Sequence, residues 1–103
     1  MDRLARIREL LKVTPDDSFL QHALALEHIK AGNDGDARKL FETILENDPG
    51  YVGSYYHLGK LLERNGEKDA AIEWYEKGMK AARTAGDNHS LGELRAAYED
   101  LVD

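Results

Sequence analysis

Residues 55–78 read YYHLGKLLERNGEKDAAIEWYEKG. Within them Tyr55 and Leu58, and Gly59 and Leu62, stand three residues apart, and beyond Gly66 the set Ala71, Tyr75 and Gly78 follows at steps of four and three. Such spacing lays each set along one face of a helix. Gly66 supplies the left-handed backbone that lets the chain reverse, so the stretch encodes two antiparallel helices. The same order of large and small residues occurs 34 residues earlier, as Leu24, Ala25, His28, Gly32, Ala37 and Phe41. A fixed period of this length is the mark of repeat architecture.

Four further helices follow in both directions. Over residues 2–13, Leu4, Ile7, Leu10 and Leu11 form an apolar side, and Pro15 ends the helix. Asp16 or Asp17 caps a second helix running to about Ala31, whose Phe19, Leu20, Ala23, Leu24, Leu26 and Ile29 cover more than one stripe. A third carries Ala37, Leu40, Phe41, Ile44 and Leu45 and stops near Asn47, before Pro49 and Gly50. The quoted stretch then spans a fourth helix, about Val52 to Asn65, and a fifth, about Glu67 to Ala85. After a turn at residues 86–90, Leu91, Leu94, Ala97, Tyr98 and Leu101 lay out a sixth. No segment shows the two-residue alternation of a strand, so the expected fold class is all-α.

Composition narrows the functions. At 103 residues the chain has a single-domain length, and the absence of cysteine excludes disulfides, thiolate metal sites and thiol catalysis. A formal charge of -6 argues against nucleic acid as a partner. No run approaches the roughly 20 apolar residues of a membrane span, and the charged N-terminus lacks a signal-peptide core. The expectation is a soluble cytoplasmic protein that binds neither membrane nor nucleic acid.

The 34-residue period and its marked positions resemble the tetratricopeptide repeat (TPR) family. Tyr55, Leu58, Gly59 and Leu62 resemble its first-helix signature, and Ala71, Tyr75 and Gly78 its second. In the earlier copy Leu24, Ala25, His28, Ala37, Phe41 and Pro49 take those places, with Gln21 where a large residue is usual and Ile44 where a small one is. Ile7, Leu10, Leu11 and Pro15 stand 34 residues before Phe41, Ile44, Leu45 and Pro49. The resemblance implies antiparallel helical hairpins stacked as a short right-handed solenoid of six helices. Residues 1–103 would form one domain, with a half-repeat at 1–15, repeats at 16–49 and 50–85, and a capping helix at 86–103, where Arg95 replaces the usual small residue. Ala25 would pack on Ala37 and Gly59 on Ala71, while Phe41 and Tyr75 fill space between successive pairs.

In this family the first helices line a concave groove that holds a peptide or a partner's helix. Carrying the groove positions over gives Phe19, His22, Leu26 and Ile29 from one repeat and Gly53, Tyr56, Lys60 and Glu63 from the next. His89, Gly92, Ala96 and Glu99 extend the line if the last helix keeps register. Leu26 and Ile29 either form a ligand-facing apolar patch or are covered by the two ends of the short stack, and Tyr56 either recognises a partner or packs. The lysine, arginine and asparagine grip that some members use on a terminal carboxylate is not reproduced, since His22, Leu26 and His57 stand there. Lys60 alone is left to pair with an acidic group.

Four histidines, His22, His28, His57 and His89, show no paired metal-ligand spacing, and the turn Asn33 to Asp36 lacks the distal glutamate of a calcium loop. Ser18, Ser54 and Ser90 lie where helix capping explains them, and pairs such as Glu63 with Glu67 read as solvated faces. No nucleophile motif or phosphate-cradling loop appears, so no enzyme, cofactor or metal is expected. Trp74 covers an outer seam, and Arg3, Arg6, Arg8 and Lys12 form a solvated basic face. The expected function is a protein- or peptide-binding scaffold. The alternative is self-association into a homo-oligomer through the groove or the terminal helices, with Leu4, Tyr98 and Leu101 as the residues concerned.

Overall fold

The computed structural model describes residues 2–102, which contain six helices and, among the described residues, no strand. The helices are α1 (Arg3–Val13), α2 (Ser18–Lys30), α3 (Asp34–Asn47), α4 (Gly53–Arg64), α5 (Lys68–Ala85) and α6 (Asn88–Val102). They fall into two compact units, Met1–Asp48 and Pro49–Asp103. The boundary coincides with the Asp48, Pro49 and Gly50 punctuation, where proline disfavours helix in the residue before it.

In the N-terminal unit the starts of α1 and α2 have a local cause. The Asp2 carboxylate accepts from the Ala5 backbone N–H at 2.8 Å and caps α1, and Asp17 accepts from Leu20 N–H at 3.0 Å and caps α2. Beyond the end of α2, Gly32 takes a φ of 81° that lets Asn33 N–H return to the His28 carbonyl at 2.8 Å before α3 begins. Ala25, Ala37, Phe41 and Ile44 are fully buried. Leu4, Ile7 and Leu11 join Ala23, Leu24 and Leu40 in one apolar cluster, which seats α1. Leu10 departs from its expected place and is 48 % exposed. At 100° per residue it falls to the side of the stripe that Leu4, Ile7 and Leu11 share.

In the C-terminal unit Gly66 repeats the device, with φ 80° and Glu67 N–H bound to the Leu62 carbonyl at 2.9 Å. The Tyr55 hydroxyl donates to the Pro49 carbonyl at 2.6 Å and so ties α4 to the segment before it. Leu58, Leu61, Leu62, Ala71, Tyr75 and Ala82 are fully buried or nearly so. Gly59 allows a close approach: a Cβ built on it would strike the ring of Tyr75. Gly78 is pinched in the same way: its Cβ would lie 2.6 Å from the Tyr55 Cβ and 3.1 Å from Leu94 Cδ1. The two glycines thus let α5 lie close to α4 and α6. Trp74 packs beside Tyr55, ring centroids 6.1 Å apart, with the Lys77 ammonium 4.5 Å above it.

Candidate functional site

Phe19, His22, Leu26 and Ile29 all lie on α2, at the helical spacing that puts them on one side of it. Their neighbours Ala23, Leu24, Ala25 and His28 are the residues α2 buries. Phe19 is 68 % exposed, whereas Leu26 and Ile29 are half-buried. The His22 ring meets Phe41 of α3 edge-on at 5.6 Å, so it is positioned by the hairpin behind it.

Tyr56, Lys60 and Glu63 share α4, whose Tyr55, Leu58, Gly59 and Leu62 supply the buried side. The Lys60 ammonium lies 5.7 Å from the Tyr56 ring centroid and 3.5 Å from the Glu63 carboxylate. Glu63 also accepts a hydrogen bond from the Tyr75 hydroxyl. Glu63 is therefore half-buried and wired into the α4–α5 hairpin, unlike the solvated carboxylate that the sequence suggests. Burial, followed by the hydrogen bond to Glu63 and its negative charge, pushes the Tyr75 phenol far above its ordinary value of 10.0. It remains a neutral donor.

One cavity adjoins these residues. It measures about 170 Å³ and is lined by Val52, Gly53, Tyr56 and His57 of α4 and its approach and by Ser90, Glu93 and Leu94 of α6. Of the expected groove residues Gly53 and Tyr56 line it. His57 stands edge-on to Tyr56 at 5.7 Å, and burial pushes its imidazole below the ordinary 6.5, with the Glu93 charge pulling partly back. Ser90 is fixed by Asp87, which accepts from its backbone N–H at 3.0 Å and from its hydroxyl at 2.7 Å. These hydrogen bonds hold the Asp87 carboxyl below its usual range.

Sequence reasoning assigned Ser90 to helix capping and passed over Glu93. Setting Leu91 and Leu94 beneath Tyr55 and Leu58 puts Glu93 beneath His57, and that register was the available signal. Glu99, expected to extend the groove, instead lines a depression with Glu76, Met79 and Arg83 of α5 and with Arg95 and Tyr98 of α6. Among the described residues no group of three or more histidine, aspartate or glutamate side chains could hold a metal ion, and no helix is long and apolar enough to cross a membrane.

Comparison with known proteins agrees with this geometry. The family model described as tetratricopeptide repeat matches residues 22–88, more than half of the chain. A TPR repeat-containing protein of Pseudomonas aeruginosa is 26 % identical over 92 % of this chain and 90 % of its own length. A tetratricopeptide repeat domain protein of Salinibacter ruber, solved by crystallography, is 47 % identical, with 82 % of this chain and 96 % of that one superposed at a TM-score of 0.79. The TPR2B domain of yeast Sti1, solved as a complex with pHsp70, shares the fold at 18 % identity, with a TM-score of 0.87 over 95 % of this chain and 78 % of that one. Small residues at the close approaches, left-handed glycines between paired helices and a 34-residue period thus have one source: the chain belongs to the tetratricopeptide repeat family.

Proposed function

We propose that this chain is a non-catalytic scaffold that binds a protein or peptide through two faces, Phe19, His22, Leu26 and Ile29 of α2 in one unit and Tyr56, Lys60 and Glu63 of α4 in the other. The tetratricopeptide fold is in general a protein-interaction scaffold, and domains built on it bind peptides or proteins. The observation that carries the reading is Phe19. Its ring is 68 % exposed on a helix whose opposite side is fully packed, and an exposed aromatic beside half-buried aliphatics is the makeup of a binding anchor. Tyr56 adds a second ring, supported by Lys60 and His57. In this reading the chain needs no cofactor or metal, works in the cytoplasm, and leaves membranes and nucleic acids alone.

The test is selection from a displayed library of random peptides, followed by affinity measurement with the peptides recovered. Phe19→Ser and Tyr56→Ala should each weaken binding by about tenfold or more, as loss of a contact anchor does, while circular dichroism shows the fold retained. Undiminished binding by both folded variants would sink the proposal.

Self-association is a second reading, favoured by the exposure of Leu10 on α1 and Val102 on α6, at 48 % and 47 %. Sedimentation velocity over a wide concentration range decides it. A single monomeric species throughout removes it.

A further inference from the structure

We infer that the α4–α6 cavity is a socket for one cationic side chain, a lysine of the bound peptide, with Glu93 as its counter-charge. The inference rests on the scaffold reading above and names what one part of that surface selects.

Size comes first. At about 170 Å³ the cavity is below the roughly 300–1,000 Å³ of small-molecule sites and suits a single side chain. Its lining is divided by chemistry. Val52 and Leu94 are buried and apolar, and Gly53 brings no side chain to the mouth. Tyr56, His57, Ser90 and Glu93 supply the polar atoms. A flexible aliphatic stem ending in a charged head matches that division.

The polar groups favour a donor. Ser90 spends its hydroxyl proton on Asp87 at 2.7 Å, which leaves its oxygen to accept. Glu93 accepts only, and its side chain is half exposed, within reach of an incoming ligand. Burial keeps the His57 imidazole uncharged at neutral pH. Among the described residues that line the cavity, Glu93 is then the one bearing a charge. Lys60 is engaged elsewhere, 3.5 Å from Glu63, and the exposed His89 Nε2 lies 3.5 Å from Glu93 Oε1, so an incoming ammonium would share that carboxylate with an imidazole. The N-terminal turn of α6, which would attract an anion, is answered by Asp87. An ammonium brings three donors and no acceptor to this set, whereas a carboxylate would face Glu93 directly.

The test uses the full chain and the displayed peptide library. Wild type should enrich peptides with lysine or arginine at one fixed position. Replacing that residue by norleucine, which keeps the stem and removes the charge, should weaken binding about tenfold, the value of one charge-assisted contact. Glu93→Gln should erase the difference between the lysine and norleucine peptides, and Glu93→Lys should turn selection toward glutamate at the same position. Enriched peptides that lose affinity with Phe19→Ser but carry no basic preference would overturn the socket and leave the scaffold standing. Selection of acidic residues by wild type would overturn it too. Failure to enrich any peptide would bring down both.

Discussion

The hydroxyl of Tyr75 on α5 donates to the carboxylate of Glu63 on α4, and the ring that carries it lies against Gly59, one turn earlier on the same helix. Three residues of the repeat signature and its neighbours therefore form a single contact. The missing side chain at Gly59 admits the ring, the ring brings its hydroxyl to Glu63, and Glu63 in turn holds Lys60 beside Tyr56. Packing inside the hairpin and the placing of the proposed binding face are thus one arrangement.

Gly59→Ala should destabilise the chain by about 1–3 kcal/mol, because the new methyl overlaps a rigid aromatic ring in a packed hairpin. Gly92→Ala is the control. Its Cβ meets nothing within 4 Å in the interior of α6, so the gain in helix propensity should raise stability by about 0.5–1 kcal/mol. Urea denaturation of both variants checks the pair. Equal effects would show that backbone propensity, rather than contact with Tyr75, governs Gly59.

Ionisation of Tyr75 gives a stability slope of known sign. Its folded-state pKa is raised above the ordinary 10.0, so its contribution is complete below pH 10 and is lost as pH rises through the folded value, when the unfolded chain releases the proton first. Denaturation midpoints from about pH 9 to about pH 11 should therefore fall more steeply for wild type than for Tyr75→Phe. At pH 7 the variant should lose about 1 kcal/mol with the hydrogen bond. Parallel curves at high pH would mean that Tyr75 ionises as freely when folded as when unfolded.

His57 acts at the other end of the scale. Burial lowers its folded pKa below 6.5, so stability is full above that value and is lost as pH falls toward the folded one, when the unfolded chain takes up the proton first. Between about pH 7.5 and about pH 5 wild type should lose more stability than His57→Gln. The opposite ordering would show that Glu93 outweighs burial and that the imidazole is charged in the cavity.

His28 is buried, and its Nδ1 has no hydrogen-bond partner. The equivalent position of the next repeat holds Leu62, which is fully buried. His28→Leu should therefore stabilise the chain by about 1–2 kcal/mol, by removing an unsatisfied polar atom and keeping the volume. A lower melting temperature would indicate that the ring shape is needed against its neighbours.

The fold was legible because its causes are local or periodic. Gly32, Gly66 and Gly86 mark reversals that require positive φ, Asp17 marks a helix start, and the 34-residue spacing of small and large residues marks which faces meet. The same logic put Tyr56, Lys60 and Glu63 on one helix and Phe19, His22, Leu26 and Ile29 on another. It erred where a side chain reaches further than its spacing suggests. The Tyr75 ring lies against Gly59, and its hydroxyl draws in Glu63, a glutamate that reads as solvated in the sequence.

Sequence by itself determined the helices, the hairpins and the family, since backbone conformation and the burial of a repeating apolar face depend on residue type and spacing. Only the tertiary structure decided that Glu63 is an internal acceptor, that His28 is buried with an unpaired nitrogen, and that His57, Ser90 and Glu93 share a cavity. Those properties arise between helices, from how far each side chain reaches and what it meets there, and one-dimensional spacing carries no record of that distance.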